Sequence, residues 1–203
     1  MKLVYAKGAC SLSVHVLLEE LGLKYEAICV SLQDKTVLEN YTPKSYVPVI
    51  VLDNGQVMTE AANILQYISD LHHSKFMPPE GSLERARCVE WLTYVSTELH
   101  KNLGALFHKK EAGAEFVNMM MAKIEMRLSF METHLKKNNF LLGDHYTVAD
   151  MYAMAILRIC QHVDVRLEKF PAVSKYKKMI EGLPTVSRVI KLEELSQVAM
   201  RAA

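Results

Sequence analysis

The sequence predicts an α/β domain over residues 1–76 followed, after a linker at 77–83, by an α-helical domain over 84–203. Three observations carry this division. Short apolar runs of strand length alternate with helical spacing in the first segment, and the remainder repeats almost wholly at helical period. Between them lies Met77-Pro78-Pro79-Glu80-Gly81-Ser82, where adjacent prolines exclude helix and Gly81 loosens the chain. Composition changes at the same place: ten of the twelve methionines lie from Met77 onward, and the formal charge is −2 before it and +3 after it.

The first segment opens with Leu3-Val4-Tyr5-Ala6, a buried strand stopped by Lys7-Gly8. Helical spacing of Leu12, Val16 and Leu17 or Leu21 follows, with Ser11 or Ser13 placed to cap its start and Gly22 to end it. Glu26–Val30 is a second strand, and a strand-helix-strand unit is normally parallel with a right-handed crossover. Two further strands, 47–52 and 56–59, flank Asp53-Asn54-Gly55, where Asn-Gly supplies the positive φ angles of a tight hairpin. A helix from Glu60 to His72 turns Ala61, Ile64, Leu65 and Ile68 toward the sheet. The order β-α-β, loop, β-β-α is that of a thioredoxin-like domain, with a mixed four-stranded sheet and three helices.

The second segment begins with one long helix, Leu83 to His108, whose Cys88, Leu92, Val95, Leu99, Leu103 and Leu106 form a core stripe. A second stripe on that helix, Thr93, Thr97, His100 and Gly104, is small or polar and leaves room beside one imidazole. Residues 114–137 form another helix with a methionine-rich face that reads as core filler. Thr147-Val148-Ala149-Asp150 is a capping box opening a buried helix, with Tyr146 placed to staple onto Met151. Two more helices lie at 172–181 and 185–195.

Composition sets limits on function. The 203 residues are 50% hydrophobic and 23% charged, so a sizeable core forms and disorder is excluded. A net charge of +1 offers no global field for nucleic acid or an anionic membrane. No apolar run approaches the ~20 residues of a bilayer span, and Met1–Gly8 lacks a signal-peptide core, so a cytoplasmic location is expected. The four cysteines lack Cys-x-x-Cys spacing, so no metal site is expected and free thiols are favoured over disulfides.

Among those thiols Cys10 stands apart. It lies where the first strand has ended and a helix begins, where free N–H groups and the helix dipole favour a thiolate. Gly8 and Ser11 around it predict an exposed turn, so Cys10 is expected to be the reactive cysteine. Cys10-Ser11-Leu12-Ser13 has no resolving thiol, so any exchange needs an outside one, and in the cytosol that is glutathione. Val47-Pro48 precedes a strand, and a cis bond there would expose backbone groups able to pair with an extended peptide; the isomer stays open. The helix start at Thr59-Glu60-Ala61 offers N–H groups to an α-carboxylate. Lys35 is a candidate counter-charge for a second carboxylate. His100 is the histidine singled out among eight, able to donate to a sulfur or act as a base near neutral pH.

Taken together, the segments Met1–Ser13, Val47-Pro48-Val49, Leu52–Gly55, Thr59-Glu60, Glu90-Trp91-Leu92, Thr97–Lys101 and Phe140–Asp150 resemble a cytosolic glutathione S-transferase, in particular the bacterial beta class. The resemblance implies a homodimer that takes glutathione on the first domain as co-substrate, with no permanently bound cofactor, and a small hydrophobic electrophile between the domains. It implies Cys10 and His100 as the catalytic pair at the glutathione sulfur. Glutathione contacts are carried to Tyr5, Lys35, Val47 with Pro48, and Glu60 with Ala61. Thr97, Glu98 and Lys101 are further contact positions. Ala61 has no hydroxyl where many transferases have serine, and Thr93 stands where relatives carry asparagine. The expected activity is attack of activated glutathione on hydrophobic electrophiles in detoxification, with thiol-disulfide exchange through a Cys10 mixed disulfide as a second reaction. A glutathione-dependent isomerase or dehalogenase, or a non-catalytic binding protein on the same fold, is the alternative.

Overall fold

A computed structural model describes residues 1–198 of the chain. They divide into two compact units, Met1–Ser74 with the chain from Gly182 onward, and Lys75–Glu181.

In the first unit β1 (Lys2–Tyr5), β2 (Glu26–Cys29), β3 (Val49–Val51) and β4 (Val57–Thr59) form a mixed sheet in the order β2-β1-β3-β4. β1 and β2 are parallel, with Tyr5 beside Cys29, as the crossover requires. β3 runs antiparallel to β1 and β4, pairing Leu3 with Ile50 and Val49 with Thr59. Val4, Ala6, Val30, Leu38, Val47 and Val49 pack as one buried cluster. The hairpin is wider than its Asn-Gly predicts. Only Gly55 takes positive φ (81°), and the turn closes by Gly55 N–H to Leu52 O and Leu52 N–H to Gln56 O. Asn54 keeps negative φ and uses its side chain to accept Gln56 N–H at 3.0 Å.

The crossover helix α1 (Leu12–Glu20) starts without the predicted serine cap. Ser11 is itself helical at φ −57°, and its hydroxyl turns back to Ala6, while the Ser13 hydroxyl donates to Cys10 O at 2.7 Å. Gly22 ends the helix at φ +61°, with Leu23 N–H returning to Leu18 O. Between β2 and β3 the third helical element is one 3-10 turn, Leu38–Asn40. α2 (Ala61–Leu71) follows β4 and buries Ala61, Ile64, Leu65 and Ile68, as its period predicts.

In the second unit, Ser82 caps α3 (Leu83–Tyr94) by accepting Arg85 N–H at 3.0 Å. The single long helix predicted over 83–108 is interrupted. Val95–His100 widens into a π-turn, α4 (Lys101–Ala105) resumes, and Leu106–His108 tightens to 3-10. Thr93 and Thr97 donate their hydroxyls to the carbonyls four residues back, Val89 O at 2.9 Å and Thr97 to Thr93 O at 3.0 Å, and Asn102 donates to Glu98 O. Such back-bonding pulls carbonyls off the helix ladder and accompanies bends and π-insertions. After the short α5 (Lys109–Ala112), α6 (Ala114–Leu135) buries Met120, Ile124, Leu128 and Met131 but leaves Met119 and Met126 in solvent.

α7 (Val148–Ile159) is almost wholly buried and starts at the predicted capping box. Asp150 accepts Thr147 N–H and Leu141 N–H at 2.8 Å, the Thr147 hydroxyl at 3.0 Å and the Tyr176 hydroxyl at 2.8 Å. The Tyr146 ring packs on Phe76 and Phe140. α8 (Pro171–Glu181) is seated by buried Glu132, which accepts Ala172 N–H at 2.9 Å and Val173 N–H at 3.0 Å.

The last helix, α9 (Pro184–Leu195), was assigned by sequence continuity to the helical domain over 84–203, yet its contacts put it with the first unit. It packs on α1, so that every residue from Leu12 to Leu18 is buried. Val186 and Val189 bury fully, contributing ~2 kcal/mol each. His15, buried against the Tyr5 and Tyr25 rings, meets Glu193 at 2.9 Å, and Arg188 pairs with Glu19. Residues 199–203 of that assignment lie outside the described residues.

Candidate active site

In the first unit, the turn after β1, the segment before β3 and the start of α2 meet around Cys10. Its Sγ donates to Val47 O at 3.3 Å, across a 37-residue separation, and the Val47–Pro48 bond is cis. Cys10 is 6% exposed, not on an open turn. Burial pushes its thiol up to about 12; the N–H groups of Cys10 and Ser11 pull the other way and the Glu60 carboxylate adds to the rise. One expectation is thereby corrected: Cys10 is not solvent-exposed, and its burial favours the thiol over the thiolate. The helix-start N–H groups are present, but desolvation of the buried sulfur outweighs them. The other thiols are buried too, with Cys88 raised to about 11 and Cys160 to about 12 by burial.

Glu60 joins β4 to α2 at φ 71° and ψ 110°, a left-handed conformation costly for a residue with a Cβ. Asn63 N–H and Ile64 N–H already point to Glu60 O, so the first-turn N–H groups of Ala61 and Ala62 are those with no helical carbonyl ahead of them. A carboxylate is the ligand such a helix end favours. Beside it the sequence reading missed two residues. The Tyr46 hydroxyl donates to Glu60 Oε1 at 2.5 Å. Lys44 Nζ donates to Thr59 Oγ1 at 2.8 Å, reaches Glu60 Oε1 at 3.4 Å, and lies 5.7 Å from the centre of the Tyr46 ring. The loop before Val47-Pro48 carries no periodic signal, although a lysine and a tyrosine so near a cis-proline candidate were a cue.

Two expected contacts of this unit differ in exposure. Tyr5 is buried, and its hydroxyl donates to Ser196 Oγ at 2.6 Å, which corrects its assignment as an available glutathione contact: β1 points it into the seam with α9. Lys35 is exposed on the loop before the 3-10 turn and joins none of the hydrogen bonds around Cys10 or Glu60.

In the second unit, the π-turn sets the positions of Thr97, Glu98 and His100. His100 Nδ1 is 3.0 Å from the Tyr152 hydroxyl, the two rings standing edge to face, which fixes the imidazole on α7. Glu98 is committed to Arg127, Nε to Oε2 at 2.6 Å. Thr97 and Lys101 are exposed, and Thr97 spends its hydroxyl proton on Thr93 O. A separate cleft of 970 Å³ in this unit is walled by Trp91, His134 and the Leu141–Thr147 loop, and none of the candidate catalytic or glutathione-contact residues lines it. Among the described residues no group of three or more His, Cys, Asp or Glu is placed to hold a metal ion.

Known proteins share the fold of this chain. Residues 8–71 match the N-terminal domain of glutathione S-transferase and residues 91–184 its C-terminal domain. The glutathione S-transferase GstA of Escherichia coli O157:H7 is 33% identical over 202 residues, 96% of this chain and all of that protein. A probable maleylacetoacetate isomerase of Caenorhabditis elegans is 27% identical, covering 89% of this chain and 87% of its own. Among solved structures, a glutathione transferase of Methylococcus capsulatus superposes with a TM-score of 0.90 at 38% identity, covering 96% of this chain and 99% of that one. A sphingomonad glutathione S-transferase complexed with glutathione superposes at 0.87 with 31% identity, covering 97% of this chain and all of the other. A beta class enzyme of Sphingomonas chungbukensis does so at 0.87 with 29% identity and the same coverage. The thioredoxin-like sheet, the helical unit and the full-length match together place this chain in the glutathione S-transferase family.

Proposed function

We propose that the chain is a beta class glutathione transferase in which the glutathione sulfur, not Cys10, carries the negative charge. The observation that carries this is the Cys10 thiol: buried, protonated and already donating to Val47 O at 3.3 Å. A thiol in that state is a hydrogen-bond donor and a poor nucleophile. When the cysteinyl N–H of an extended tripeptide takes Val47 O, the Cys10 S–H is released to donate to the incoming sulfur. The proton of the glutathione thiol leaves to solvent, and the thiolate attacks an electrophilic carbon. A free thiol titrates near ~8.5. A fall of about two pKa units, worth ~2.7 kcal/mol of differential binding, makes the bound sulfur mostly thiolate at neutral pH.

The other contacts follow from chemistry. Glu60 suits the α-ammonium of the γ-glutamyl end, and the N–H groups at the head of α2 suit its α-carboxylate. His100, held by Tyr152, is assigned the sulfur-tuning role, with Thr97 and Lys101 as further contacts and Lys35 facing the glycyl carboxylate. The relative named as a probable maleylacetoacetate isomerase supports the alternative of an isomerase. Products from halogenated, epoxide and maleyl substrates separate the readings. A homodimer is favoured by the apolar face of the helical unit, where Met126 and Phe130 are exposed beside Tyr94. No described helix is long and apolar enough to cross a membrane, and a cytoplasmic site of action fits the four unpaired thiols.

The test is Cys10→Ala assayed for conjugation and for thiol-disulfide exchange with glutathione. The donor role predicts that conjugation falls about tenfold, the loss of one hydrogen bond to a charged sulfur, and that intact-mass analysis of the wild type finds no glutathione adduct under mild oxidation. A stoichiometric adduct on Cys10 restores the mixed-disulfide route and refutes the donor role.

A further inference from the structure

The group around Glu60 is an ammonium site that the chain fills itself. Lys44 Nζ sits between the Thr59 hydroxyl at 2.8 Å and Glu60 Oε1 at 3.4 Å, with the Tyr46 ring centre 5.7 Å away. These three features, a hydroxyl acceptor, a carboxylate and a π-face, are what any primary ammonium seeks. On the acceptor side Glu60 stands at the head of α2 with its side chain 58% exposed, and the Tyr46 hydroxyl donates to its Oε1 at 2.5 Å. Lys44 reaches in on a flexible stem, and its side chain remains 48% exposed. Lys44 also comes from the segment three residues before Val47, so the competitor and the backbone acceptor for the peptide lie on one loop.

We infer that Lys44 is a built-in competitor for the α-ammonium of the ligand: it occupies the Thr59–Glu60–Tyr46 site in the free chain and is displaced when glutathione binds. This rests on the proposed assignment of Glu60 to the γ-glutamyl end. A second cation brought to Glu60 repels the Lys44 ammonium and competes with it for the Oε1 it reaches at 3.4 Å, so a glutathione ammonium that takes this position displaces the Lys44 contacts. The cost is that of one exposed ion pair with its hydrogen bond, which corresponds to a two- to fivefold weakening of affinity. Lys44 therefore sets how much glutathione the protein needs, and does so selectively for ligands that carry an ammonium at this position. Tyr46 acts as a positioning residue through Glu60, holding the carboxylate for whichever cation is present.

The experiment is a calorimetric titration of wild type and Lys44→Gln with two probes, glutathione and its analogue lacking the α-amino group. Circular dichroism verifies that the exposed substitution leaves the fold intact. The expected result is a dissociation constant for glutathione two- to fivefold lower in K44Q than in wild type, with no such gain for the deaminated analogue. Tyr46→Phe, which frees Glu60 Oε1 while keeping the ring, is expected to weaken glutathione in both backgrounds. A K44Q variant that binds glutathione more weakly makes Lys44 a direct contact and overturns the inference. Equal affinity, or an equal gain for both probes, overturns it as well. Those outcomes leave the glutathione assignment standing, because both proteins still bind. If neither protein binds glutathione while folded, the functional assignment itself fails and the inference falls with it.

Discussion

Cys10 and Asp150 are both buried side chains at the starts of helices, Cys10 just before the cap of α1 and Asp150 in the first turn of α7, and their surroundings are opposite. Asp150 is met by four donors, two backbone N–H groups and two hydroxyls. Cys10 donates its S–H to the Val47 carbonyl at 3.3 Å, and its sulfur faces the N–H groups of Cys10 and Ser11. A buried group with all its bonds made within the fold is a structural fastening, costly to remove and with nothing left for a ligand. A buried group whose donated bond goes to a backbone acceptor is exchangeable, since any ligand donor that takes the acceptor frees the thiol. The helix start alone does not decide the chemistry; the number and direction of the partners does.

Four changes sharpen that contrast, beginning with the largest. Asp150→Ala leaves buried donors unmatched and is expected to cost about 3 kcal/mol or more in denaturant unfolding. Alkylation of Cys10 by iodoacetamide at neutral pH is expected to run about a hundredfold slower than that of a free thiol, because so little thiolate forms. Its rate should climb from pH 9 toward 12 rather than level off near neutrality. Cys10→Ala should cost only ~1 kcal/mol at neutral pH. Its sign at high pH is distinctive. A thiol raised from 9.0 to about 12 in the folded state stabilises fully below pH 9, and that contribution is lost as pH rises through 12. The alanine variant therefore loses less stability than wild type over that window. Ser82→Ala removes a single cap bond at the head of α3 and is expected to cost ~1 kcal/mol or less.

Much of the fold was legible in the sequence because it is written locally. The parallel β1–β2 unit, the Thr147–Asp150 box and the apolar face of α2 each follow from period or capping within a few residues. What escaped is nonlocal. The helix start beside Cys10 is local, but its thiol bonds to Val47, 37 positions away, and its ionisation depends on burial that no local pattern encodes. Glu60 takes positive φ without being glycine, so the sequence carries no mark of it. The Lys44–Tyr46 contacts lie on an irregular loop and depend on where β4 ends. Continuity groups α9 with its neighbours, although a cue is present: α1 carries Leu12, Val14, Val16, Leu17 and Leu18 on more than one face, and a helix of that kind needs cover on more than one side. His15 was set aside as ordinary, and it is the buried partner of Glu193 beneath that cover. The π-turn at Val95–His100 had its signal in the threonines that precede and enter it, read only as small residues.

The central claim is that charge resides on the ligand sulfur and not on Cys10, and the ultraviolet absorbance of thiolate, followed across pH with and without glutathione, tests it most directly. The free protein should show no thiolate below about pH 8.5, the range of an ordinary thiol, since burial raises Cys10 and the other three cysteines alike. Adding glutathione should bring in one thiolate per chain that titrates below that range and is reduced in Cys10→Ala. A thiolate in the free protein that titrates near neutrality and vanishes in Cys10→Ala contradicts the account.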